Sequence, residues 1–88
     1  MKILKETTSI LNNKIRLYGG KKNNHTLVIG VFHGDEPQGK FLIEKYISEN
    51  LDSPLLFVPC LNPDGIAENK RTNANGIDLN RNFPTENW

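Results

Sequence analysis

The tetrapeptide His33-Gly34-Asp35-Glu36 puts an imidazole and a carboxylate three positions apart, between an apolar run ending at Phe32 and Pro37. Imidazole nitrogen and carboxylate oxygen both bind zinc at about 2.0–2.2 Å, and catalytic zinc sites commonly use two His and one Glu with a position left for water. His33 and Glu36 are therefore candidate metal ligands, with one His still to be found. A His and a Glu at this spacing are also common by chance. A polar strand-end His and a first-turn carboxylate facing the helix dipole account for the pair when it is taken alone. The metal reading rests on what the other segments add.

Two further segments bear on it. Asn62-Pro63-Asp64-Gly65 is by itself an ordinary turn sequence, with a rigid Pro and a flexible Gly. The stretch Arg71-Thr72-Asn73-Ala74-Asn75-Gly76-Ile77-Asp78-Leu79-Asn80-Arg81-Asn82-Phe83-Pro84 crowds two arginines and several amides into little apolar content. An arginine fork suits a carboxylate, and a second cation or amide can hold an oxygen on which negative charge develops during amide hydrolysis. Read alone, it is a solvated loop with an Asn75-Gly76 turn. His25 stands in a Lys- and Asn-rich stretch and reads as a surface histidine rather than a ligand.

The elements that must position these groups follow from the hydrophobic pattern. Residues 26–32 are rich in β-branched side chains and apolar on both faces, which predicts a central strand covered on both sides. Pro37 suits a first helical position, and residues 38–50 place Leu42, Ile43, Tyr46 and Ile47 on one helical face. Asp52-Ser53-Pro54 breaks that pattern, and residues 55–60 form a second buried strand. Strand, helix and strand in this order predict a parallel crossover. Ligands of open α/β sheets bind outside the carboxyl ends of the strands, so the His33–Glu36 turn and the Asn62–Gly65 turn are expected to border one crevice. An alternating segment at Ile15 and Leu17, between Asn12-Asn13 and Gly19-Gly20, reads as a short peripheral strand. Residues 61–75 read as one long irregular segment serving a site.

The 88 residues carry 11 Lys and Arg against 10 Asp and Glu, so no strong field points to nucleic acid or to an acidic membrane. A chain of this length forms at most one small domain with a thin core, and we treat residues 1–88 as a single unit. One cysteine, Cys60, excludes an intrachain disulfide and suits a reducing compartment. No apolar run approaches the roughly 20 residues of a membrane span, and the first residues are short, mixed and charged, so a cytoplasmic location is expected.

Taken in order, His33-Gly34-Asp35-Glu36, Asn62-Pro63-Asp64-Gly65 and residues 71–84 resemble the ordered signature of zinc carboxypeptidases. The chain is most similar to bacterial murein peptide amidases, through residues 71–84 and the terminal Asn87-Trp88. The resemblance implies a partial three-layer α/β/α fold with a mainly parallel or mixed sheet, truncated after the third motif. It also implies that His33 and Glu36 bind zinc, that Arg71 polarises the scissile carbonyl, and that Asn80 and Arg81 grip the substrate's free carboxylate. Asp78 resembles the family position that accepts a hydrogen bond from the zinc-binding His and fixes its tautomer. The later zinc-binding His and the catalytic Glu of the family do not appear before Trp88. The isolated chain is accordingly expected to bind zinc weakly, not to turn over peptide, and to self-associate through an exposed sheet edge. N-acyl amino acid hydrolases of the aspartoacylase or succinylglutamate desuccinylase type share a similar His-Gly-x-Glu turn. That alternative stays open, as does a non-catalytic carboxylate-binding fragment.

Overall fold

A computed structural model of the chain describes residues 1–20, 26–82 and 84. His25, Asn87 and Trp88 lie outside them. Four strands form one mixed sheet: β1 (Lys2–Thr8), β2 (Lys14–Gly19), β3 (Leu27–Ile29) and β4 (Leu56–Val58). Their order is β1-β2-β4-β3, and α1 (Gln38–Glu49) joins β3 to β4.

β1 and β2 form an antiparallel hairpin around Ser9–Asn13. Its tip is closed by Ser9 and Asn13 backbone bonds, and Asn12 takes the left-handed conformation that Asn tolerates, at φ 67°. β2 then pairs antiparallel with β4 at Tyr18 and Phe57, and β4 pairs in parallel with β3. The expected parallel crossover is present.

Two placements differ from the sequence reading. β2 is an interior strand with neighbours on both sides, and β3 stands at the end of the sheet. The apolar content of β3 signals burial in a sheet, but content alone does not reveal which strand lies beside it. β1 carries no alternating pattern, because six of its seven residues are exposed; it is held by hydrogen bonding to β2 rather than by a buried face.

α1 lies against one face of the sheet. Ile43 is buried over Gly30, and the Tyr46 ring meets Phe57 at a centroid distance of 5.4 Å. Phe57, 2% exposed, is the centre of this small core. Of the predicted helical face, Leu42 is turned outward and is 69% exposed. Residues alternate across a strand, so Leu27 and Ile29 share the face opposite Val28 and Phe57. Both are exposed. Of the expected three-layer fold, the described residues show the mixed sheet and one long helix against one face.

The segment expected to be irregular contains a second helix, α2 (Pro63–Glu68). Asn62 caps it by accepting from the Gly65 amide, Pro63 opens it, and Asn69 closes it in the left-handed conformation. The sequence Asn62-Pro63-Asp64-Gly65 is thus the start of a helix and not an isolated turn.

Candidate active site

The chain leaves β3 through Gly30, whose amide bonds Val58 and whose carbonyl accepts from Leu61, and enters Val31 at φ 61°. A β-branched residue in the left-handed region is strained and persists only where its surroundings over-determine it. Val31 is itself buried. The surroundings supply several fixed points. Asn62 donates to the Phe32 carbonyl at 3.0 Å, and the Glu36 amide closes the turn onto the His33 carbonyl at 3.1 Å. Gly34 lies directly on the backbone of Gly65, where a Cβ would overlap the neighbouring carbonyl and Cα. Glycine is required here by close approach, since rigid backbone rather than a flexible side-chain end blocks the space. This contact places the His33–Glu36 turn and the start of α2 side by side.

The loop carrying Arg71 returns on itself through one side chain. Asn73 Oδ1 accepts from the amides of Asn75 and Ile77, and Gly76 occupies φ 76° in the Asn75-Gly76 turn. The return sets Arg71 beside Asp78. Asp78 then caps a short 3-10 helix, η1 (Leu79–Arg81), by accepting from the Asn80 amide at 2.9 Å.

Asp78 is the meeting point of the site. Its Oδ1 lies 2.9 Å from His33 Nε2, and its Oδ2 accepts from Arg71 Nε at 3.0 Å. Partial burial pushes the carboxyl pKa up, but hydrogen bonds from the Asn80 amide, His33 and Arg71, with the Arg71 charge, outweigh it and hold it at about 2. Asp78 is therefore ionised and only accepts, so the proton of neutral His33 belongs on Nε2 and the lone pair on Nδ1. Nδ1 is the nitrogen that faces Glu36, at 4.0 Å from Oε1.

These two groups fit a metal ion in part. Ligands at tetrahedral zinc with bonds near 2.1 Å stand about 3.4 Å apart. The separation found is slightly longer, and the Glu36 side chain, 67% exposed, is free to close it by rotation. Among the described residues, no group of three His, Cys, Asp or Glu is disposed to hold a metal ion. The donor set is a matched pair.

The structure thus brings His33, Asp78 and Arg71 into one bonded chain and sets Glu36 beside it. Among the described residues, Asn80 joins through its backbone, its amide donating to Asp78 Oδ1. Arg81 Nη1 donates to the Asn80 carbonyl, and no described contact ties its guanidinium to His33 or Glu36. Sequence reasoning missed the role of Asn62, which is 2% exposed and also donates to the Thr72 carbonyl at 3.1 Å. It also missed Asp64, 3% exposed, which accepts from Ser9, Asn13 and the Leu11 amide at the hairpin tip. A buried carboxylate at the first turn of a helix carries a signal only once the hairpin is known to reach it.

The chain is carboxypeptidase-like in sequence and fold, of the murein peptide amidase kind. The chain belongs to the family described as "Protein of unknown function (DUF2817)", which matches residues 18–87. Carboxypeptidase SOL1 of Arabidopsis thaliana is 40% identical over 72 residues, covering 66% of this chain and 15% of that protein. Murein peptide amidase A of Escherichia coli (strain K12) is 64% identical over 31 residues, covering 35% of this chain and 13% of that protein. The crystal structure of murein-tripeptide amidase MpaA from Escherichia coli O157 superposes with a TM-score of 0.70 at 33% identity. That match covers 92% of this chain and 36% of the solved one. The chain therefore spans a minor part of the length of these relatives.

Proposed function

We propose that this chain carries part of the working site of a zinc-dependent hydrolase that cleaves a peptide amide bond beside a free carboxylate, of the murein peptide amidase or carboxypeptidase type. The observation that carries the reading is the placement of the His33 ring, whose Nε2 lies 2.9 Å from Asp78 Oδ1 and whose Nδ1 lies 4.0 Å from Glu36 Oε1. His33 and Glu36 would hold the zinc. When bound, the ion supplies Lewis acidity toward a carbonyl and acidifies a water.

The chain's own residues orient the imidazole, supply positive charge and offer a grip for the substrate. Asp78 holds the imidazole in one tautomer and orientation. The same carboxylate fixes Arg71 through Nε, and the 46% exposed Arg71 side chain presents positive charge where an amide oxygen gains negative charge. Asn80 and Arg81, on the short helix that Asp78 caps, are assigned to the substrate's free carboxylate, which an arginine fork matches in geometry. With two candidate ligands among the described residues, the 88-residue chain by itself is expected to bind zinc weakly and not to turn over peptide. The names of the relatives support the peptide reading over an N-acyl amino acid substrate.

The test is a nuclear magnetic resonance titration of the labelled chain with a murein tripeptide, its carboxyl-terminal amide, and an N-acetyl amino acid. The free-carboxylate tripeptide is expected to shift Arg71, Asn80 and Arg81 signals, and the amidated peptide is not. An equal response to both peptides would overturn the carboxylate grip. A stronger response to the N-acetyl amino acid would favour the deacylase class.

A further inference from the structure

Asn62 uses every donor and acceptor of its side chain that the fold can supply, and each goes to a different piece of the site. Nδ2 donates to the Phe32 carbonyl at 3.0 Å, one residue before His33. It donates again to the Thr72 carbonyl at 3.1 Å, one residue after Arg71. Oδ1 accepts from the Gly65 amide at 2.9 Å, beneath the Gly34 contact. The side chain is fully buried, so solvent cannot replace any of the three. The first bond also lies beside the strained Val31, whose conformation needs external support.

We infer that Asn62 is a positioning residue that couples the turn bearing His33 to the loop bearing Arg71, so that both reach the two oxygens of Asp78 together. The inference rests on the proposed roles of His33 and Arg71 in a hydrolytic site. Capping α2 requires only the Oδ1 acceptor, and Asp serves a helix cap as well as Asn does. Joining Phe32 to Thr72 requires the two N–H donors, which Asp lacks. The two roles are therefore separable in a single variant.

The experiment compares the full chain with Asn62→Asp and Asn62→Ala by nuclear magnetic resonance. In the wild type, couplings across the hydrogen bonds from Asn62 Nδ2 to both carbonyls are expected. In Asn62→Asp, α2 is expected to persist, while the His33 ring nitrogens move toward a mixture of tautomers and the Arg71 Nε proton exchanges at least tenfold faster. Cobalt(II) binding at His33 should weaken about tenfold, in the range seen when groups that orient a metal ligand are removed. Asn62→Ala should lose the α2 cap as well. An Asn62→Asp chain with wild-type His33 nitrogens and wild-type Arg71 exchange would overturn the inference. If that variant does not fold, absence of either coupling in the wild type overturns it and presence of both supports it. Should the wild type bind no cobalt while Asn62→Asp still disturbs His33 and Arg71, the positioning role stands and the metal reading fails.

Discussion

Two oxygens of Asp78 serve three donors, and most of the site's order is decided by that one carboxylate. Replacing it with an amide keeps the size but removes the charge and turns one acceptor into a donor, which cannot face both His33 and Arg71 productively. Asp78→Asn is expected to release the Nε2 proton preference of His33 and to lower zinc affinity by roughly 10- to 100-fold. Long-range proton–nitrogen correlation spectra of His33 and a zinc titration check this. His33 with Glu36, and the stretch bearing Arg71, each had an ordinary explanation when read alone; the site was legible through the order of the three segments, and Asp78 only through the resemblance they carry. Asn62 was not, since its neighbours Pro63 and Gly65 give a turn composition and nothing in the letters reveals that the amide is buried among three backbone partners.

At the scale of elements, the site depends on backbones that approach one another without side chains between them. Gly34→Ala places a methyl group into the Gly65 backbone and is expected to cost about 1–3 kcal/mol of stability, measurable by urea unfolding. A second joint ties the hairpin to α2 through Asp64. Burial raises its pKa, but bonds from Ser9, Asn13 and the Leu11 amide prevail and leave it below the usual carboxylate range. A carboxylate whose folded pKa is depressed gives stability that is complete above its unfolded value, near 3.9, and lost as pH falls through the folded value. Wild-type stability should therefore drop below about pH 4, and Asp64→Asn should be less stable at neutral pH and flatter across that acid window. α1, β3 and β4 were readable from helical spacing and from two short apolar runs, the first rich in β-branched residues. β1 and α2 were not: a hairpin strand with exposed side chains has no period to read, and a helix of six residues opening Pro63-Asp64-Gly65 has the composition of a loop until its cap is seen.

Among the described residues, apolar side chains are exposed on the sheet face opposite α1. β3 ends the sheet, and Leu27 and Ile29 are 46% and 37% exposed. An unpaired strand edge with apolar side chains invites pairing with another chain. Light scattering should show association that grows with concentration and is reduced by Leu27→Lys; a wild-type monomer at every concentration would contradict this. The α/β class and the parallel pairing of β3 with β4 were legible because a strand, helix and strand joined by short links have few other solutions. Strand order was not, since β2 reaches β4 through a single register pair, Tyr18 with Phe57, that no local pattern encodes. The most direct test of the central claim is a zinc titration of the full chain followed at the His33 ring nitrogens. Weak binding, with a dissociation constant in the micromolar range or above, at Nδ1 and lost in both His33→Ala and Glu36→Ala, is the predicted result. Binding that survives either substitution unchanged, or zinc bound at Nε2 with Asp78 displaced, would contradict it.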